Sequence, residues 1–139
     1  MSQRKRGPAD RPTPIEAVMV VEPRVLIRMT LSDYLRGCGY KVLEATGARE
    51  AIRILEGGIK VHAVFAATKL EEQMDGFALA QHVRANYSGV EVLLANSVSM
   101  AAKKAGDLCE NGPGEKPYDH QLVAERLKLL LQREKTPKK

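Results

Sequence analysis

Few side chains in this sequence are of the types that do chemistry, and their spacing excludes most of it. His62, His82 and His120 share no metal-ligand spacing, and neither do Cys38 and Cys109. The segment "VVEPRVL" (20–26) holds neither a glycine-rich phosphate loop nor a nucleophile–base pair, which argues against a nucleotide binder or a small α/β enzyme. What remains is a set of residues at the ends of short apolar runs: Glu22-Pro23, Ala67-Thr68, Asn96-Ser97 and Lys116-Pro117. Three more acids, Glu71, Glu72 and Asp75, follow in "TKLEEQMDG". Carboxylates can ligate a hard cation, and a lysine can hold an anion. Position 67, where a reactive side chain would be expected, offers only a methyl group.

These residues matter only if strands present them together. "AVMVV" (17–21) and "VHAVFAA" (61–67) are nearly all apolar, as strands covered on both faces are. "YKVLEA" (40–45) and "VEVLLA" (90–95) supply two more strands. Helices are expected between them. Ile27, Leu31, Tyr34 and Leu35 recur at helical spacing before the stop "GCG", and Ala48, Ala51, Ile52 and Leu55 before Gly57-Gly58. Asp75 is placed to N-cap a third helix, "DGFALAQHVRAN" (75–86). "SMAAKKAGDLC" (99–109) reads as a short fourth helix. The last, "DHQLVAERLKLLLQRE" (119–134), has Leu122, Val123, Leu127, Leu130 and Leu131 as its apolar stripe. Leu129 falls off that stripe, at the core's periphery or in an exposed partner patch. A fifth strand belongs at "ENGPGEKP" (110–117), where glycine and proline make it short and confine it to a sheet edge.

Alternation of strand and helix predicts a doubly wound parallel sheet of five strands with helices on both faces. Chemistry in such open sheets sits at the carboxyl ends of the strands. The chain has 139 residues and 44% hydrophobic content, enough for one domain with its own core and no metal or disulfide staple. The two cysteines are therefore expected to remain reduced thiols. No apolar run approaches the roughly 20 residues that span a bilayer, and the proline-rich start lacks a secretory pattern, so a cytoplasmic protein is expected. Of the net charge of +5, the first 12 residues contribute +3 and the last seven another +3, leaving about −1 between them. The basicity belongs to solvated tails, 1–14 and 133–139, so no specific nucleic-acid binding is expected.

Between these tails, over 15–132, the sequence resembles a bacterial two-component response-regulator receiver domain. The stretches that carry the resemblance are "VMVVEPRVLIRM", "GYKVLEATGAREAIRILE", "MDGFALAQHVRA", "VEVLLANS" and "EKPYDHQLV". "MDG" after the third strand and "KP" after the fifth are the most telling pair. The resemblance implies a flavodoxin-like sheet of order 2-1-3-4-5 and a phosphoryl-transfer pocket. That pocket has two acids after the first strand that hold Mg²⁺, an acceptor Asp at the tip of the third strand, a Ser or Thr after the fourth and a Lys after the fifth. Carried over residue by residue, Glu22 matches the first acid and Pro23 stands at the second. Ala67 falls on the acceptor, Asn96 or Ser97 on the hydroxyl, and Lys116 on the lysine. Pro113 takes the aromatic switch position.

A methyl group cannot attack phosphorus, and a lone carboxylate gives Mg²⁺ little hold, so neither phosphorylation at 67 nor a bound Mg²⁺ is expected. Glu22 and Lys116 are expected to pair directly. Asp75, Glu71 and Glu72 are the candidates for an unorthodox acceptor. Asp75 is better explained as a helix cap, and the two glutamates as a solvated loop. The expected protein is a stand-alone pseudo-receiver of a phosphorelay system, not an enzyme. It would bind a histidine kinase or another signalling protein through the face of the fourth helix, fifth strand and fifth helix, or pair with itself. The alternatives are a working phosphoreceiver and a small α/β ligand-binding protein.

Overall fold

Every residue of β1 (Ala17–Val21) is buried, and its side chains alternate between two cores. Val18 and Val20 point to one face of the sheet, Met19 and Val21 to the other. Burial of such side chains is worth about 1.5–3 kcal/mol each, which makes β1 the hub of the fold. The computed structural model describes residues 16–70, 74–110, 112–114 and 119–135. Over these, β1 is followed by α1 (Val25–Gly37), β2 (Lys41–Ala45), α2 (Ala48–Glu56), β3 (Ala63–Ala67), α3 (Gly76–Asn86), β4 (Glu91–Ala95), α4 (Val98–Glu110) and α5 (His120–Lys135).

The strands run parallel in the order β2-β1-β3-β4. Central β1 and β3 are buried almost throughout, whereas flanking β2 and β4 are half-buried over most of their length. Helices cover both faces: α1, α4 and α5 pack on one core, α2 and α3 on the other. The expected stripe of α1 is buried in full at Ile27, Leu31, Tyr34 and Leu35. Among the described residues no helix is long and apolar enough to cross a membrane.

The expected fifth strand falls partly outside the described residues, and two other expectations need correction. The fifth strand is not found among the described residues. Glu110 closes α4, and 112–114 form a bend whose Gly114 N–H donates to the Cys38 carbonyl at 2.8 Å. The rest of the expected strand, 115–117, lies outside the described residues. Gly106 of α4 lies against His120 at the start of α5, and a Cβ on it would stand only 2.7 Å from that imidazole. Leu131 near the end of α5 lies back at the strand tips. So α4 and α5 form an antiparallel hairpin.

The first correction concerns the cysteines. Cys38, just after α1, and Cys109, in the last turn of α4, form a disulfide with Cα atoms 5.5 Å apart. Both lie at the amino end of the sheet, and their 71-residue separation along the chain concealed that proximity. The second concerns α5. Val123 and Leu127 are buried as expected, but Leu122 is 55% exposed, because it sits about a quarter-turn from the seam that faces α1 and α4. Leu129, at 62%, points outward.

Candidate functional site

The strand tips come together around a cavity of about 700 Å³. Glu22, Pro23, Ala67, Asn96 and Ser97, the positions expected to form the pocket, all line it. Arg24, Thr68 and Lys69 join them on the wall, and Ile27, Leu31, Phe65, Ala101 and Leu131 form an apolar floor. Each polar group on that wall has a local reason for its position.

Glu22 extends β1 by one residue: its N–H donates to the Ala45 carbonyl at 3.0 Å. Only 4% exposed, its carboxylate needs donors, and they come from two residues along the chain. The Arg24 backbone N–H reaches Oε2 at 2.7 Å and Arg24 Nε reaches the same oxygen at 2.9 Å, while Nη2 reaches Oε1 at 3.1 Å. This is a two-pronged guanidinium–carboxylate grip. Pro23 between them lets residue 24 turn back on residue 22 as α1 begins. Arg28 supports the turn, with Nη1 on the Glu22 carbonyl at 2.9 Å and Nε on Glu44 at 3.1 Å.

Ala67 ends β3, in register with Ala95 at the end of β4. The chain then passes to α3, and the Gly76 N–H donates to the Thr68 carbonyl at 2.8 Å. A Cβ at residue 76 would lie 2.3 Å from the Ala67 carbonyl oxygen, so "MDG" needs its glycine for close approach. Asp75 is the N-cap of α3: its Oδ1 accepts from the Ala78 N–H at 2.9 Å, a bond worth about 1 kcal/mol. Ser97 caps α4 in the same way, with Oγ accepting from the Met100 N–H at 3.1 Å. Asn96, exposed, directly follows β4.

Sequence comparison finds no matching family model and no matching curated protein. Structural comparison is decisive for the fold. The chemotaxis response regulator CheY4 of Vibrio cholerae aligns at 25% identity and a TM-score of 0.53, covering 86% of this chain and 98% of that one. The signal receiver domain of an HD domain-containing protein from Pseudomonas fluorescens Pf-5 aligns at 24% identity and 0.55, over 87% and 99%. A third match is to a co-crystal of the Saccharomyces cerevisiae phosphotransfer protein Ypd1 with the receiver domain of its response regulator Ssk1, at 20% identity and 0.53, over 83% and 88%. The fold is that of a response-regulator receiver domain.

Among the described residues Glu22 is the one carboxylate lining the cavity, and both its oxygens are engaged by Arg24. No group of three His, Cys, Asp or Glu side chains among the described residues could hold a metal ion. Mg²⁺ prefers an octahedron of oxygens, so a single carboxylate closed by a guanidinium does not fit it. The partner expected for Glu22, Lys116, lies outside the described residues, as do Glu71 and Glu72, and the ion pair that Glu22 does make is with Arg24. Pro113, expected at the switch position, has its backbone beside Gly39 and does not line the cavity. Sequence reasoning missed Arg24, although a cation two residues after Glu22 across a proline was there to be weighed.

Proposed function

We propose that this chain is a receiver-like signalling module that acts by protein–protein contact without phosphorylation at residue 67. The observation that carries the reading is the methyl group of Ala67 at the tip of β3, on a wall whose described carboxylate is already neutralised by Arg24. No described side chain there combines a nucleophile with a cation site. Asp75, the described alternative acceptor, spends its carboxylate on the N-cap of α3 and does not line the cavity. On this reading the protein is not an enzyme, binds no Mg²⁺ and works in the cytoplasm of a bacterial cell.

Its partner is a histidine kinase, a phosphotransfer protein or another component of a phosphorelay, or a second copy of the chain. The likeness to a receiver solved together with a phosphotransfer protein supports a protein partner. The contact face includes α4 and α5, where Leu122 and Leu129 point outward. The basic tails play no specific role with nucleic acid. Incubation with acetyl phosphate and Mg²⁺, read by intact mass, is expected to leave the mass unchanged. A stoichiometric acid-labile phosphate would overturn the proposal.

A further inference from the structure

The amino end of the sheet carries a concentration of bonds that the receiver-like reading does not use. The Cys38–Cys109 disulfide joins the end of α1 to the end of α4, with both residues buried. Beside it, the Tyr40 hydroxyl donates to the Leu108 carbonyl, inside α4's last turn. Burial pushes the Tyr40 phenol's pKa up, so it keeps the proton that it donates. The Gly114 N–H reaches the Cys38 carbonyl at 2.8 Å, and the Gly112 N–H reaches the Cys109 carbonyl at 3.2 Å. Gly39, at φ +98°, lets the bend come so close that a Cβ there would stand 2.6 Å from the Gly114 nitrogen.

Elsewhere along α4 the hold is thin. Its buried face is mostly Ala101, Ala102, Ala105 and Gly106, with Val98 and Leu108 near the ends. An alanine buries one methyl group where a leucine buries a four-carbon side chain, so packing along this seam contributes little per residue. The small residues let α5 approach closely at His120, which binds the two helices to each other more than to the sheet. The covalent link at the bottom of α4 therefore adds a fixed point, at the end of α1, to a helix that packs mainly through small side chains, while Val123 and Leu127 hold α5 in the same core.

We propose that the Cys38–Cys109 bond is a reversible redox clasp that sets how firmly the α4–α5 hairpin is docked. A dithiol reductant, of the thioredoxin kind in a cell or dithiothreitol in a test tube, supplies two electrons and two protons. The protein's S–S bond breaks to give two thiols, and the reductant closes its own disulfide. The reverse step needs a disulfide oxidant that takes the same electrons and protons. With both sulfurs buried, the attacking thiolate reaches them only when the end of α4 lifts from Tyr40. Once reduced, the hairpin rests on α4's alanine seam, on Val123 and Leu127 of α5, and on the hydrogen bonds around Tyr40 and Gly114. It opens more often, and the cavity loses the wall made by Val98, Ala101 and Leu131. The clasp does not depend on whether residue 67 is phosphorylated.

The test uses the full chain purified without reductant. Alkylation under denaturing conditions, read by mass, is expected to find no free thiol before dithiothreitol and two after it. Hydrogen exchange on the native protein is expected to speed up by roughly tenfold or more across 98–114 and 120–131 on reduction, with little change at 17–21 and 63–67. The double variant Cys38→Ser/Cys109→Ser should show the reduced pattern without dithiothreitol. Tyr40→Phe should loosen the hairpin further in the reduced protein than in the oxidised one. Two free thiols in the unreduced protein, unchanged exchange in the hairpin after reduction, or loss of protection across every element at once would each overturn the proposal.

Discussion

At the carboxyl ends of the strands the structure places a cavity whose floor is apolar and whose wall carries Ala67, Asn96 and a Glu22 satisfied by its own neighbour. At the amino ends it places a disulfide, a buried tyrosine–carbonyl bond and a glycine in a left-handed conformation packed against a second glycine. In a receiver fold the first end is where reactive groups would gather. Here the bonds made by Glu22 and Ser97 at that end join close neighbours along the chain, whereas Cys38–Cys109 and Tyr40–Leu108 at the other end join residues 71 and 68 positions apart. The two ends of one sheet are thus held differently, one by local turns and caps and the other by links between distant segments. Ala67 and Gly76 meet at the first end: residue 67 presents only a methyl group, and the glycine lets α3 approach the tip of β3.

That contrast can be broken from either side. The largest effect is expected for Gly39→Ala, which combines a positive φ with a 2.6 Å approach to backbone. Chemical denaturation should show a loss of about 3 kcal/mol or more, because neither the turn nor Gly114 can yield cheaply. A cost below about 1 kcal/mol would mean that the amino end is far softer than its bonds imply. A smaller loss, about 1–3 kcal/mol, is expected for Glu22→Gln, which keeps the shape but removes the charge that Arg24 grips. If Glu22→Gln proves neutral in urea melts, the carboxyl end is not held by this ion pair.

The smallest effect is the most informative. Ala67→Asp places a carboxylate at the tip of β3 yet is expected to give no measurable Mg²⁺ binding by calorimetry, because Glu22 remains closed by Arg24 and the Pro23 side chain offers no oxygen. Adding Pro23→Asp and Arg24→Ala should then create affinity for the ion. Tight binding by the single variant would show that the wall is less committed than its hydrogen bonds indicate.

Much of the frame was legible because it rests on periodicity. The valine-rich β1 and the apolar β3 announced strands covered on both faces, and α1's stripe at Ile27, Leu31, Tyr34 and Leu35 is buried as its spacing requires. Asp75 was legible as a cap because capping is local. The pocket positions Glu22, Pro23, Ala67, Asn96 and Ser97 were found through the receiver resemblance, and the structure gathers them around one cavity. What escaped was what only three dimensions decide. The cysteines lie 71 residues apart, and nothing in their spacing says that α1 and α4 end side by side. Which face an alanine-rich helix docks is barely encoded in hydrophobic spacing, so the α4–α5 hairpin was invisible. Leu122 looked like core because a run of leucines tolerates more than one stripe, and contact with α1 and α4 selected Val123 and Leu127 instead.

The disulfide also has a topological meaning. It closes residues 38–109 into a covalent ring that threads through β2, β3 and β4 together with α2 and α3. A protease that nicks one peptide bond inside this ring leaves a single molecule, heavier by one water, whose two pieces part only after reduction. A nick beyond residue 109 severs α5 from the ring at once.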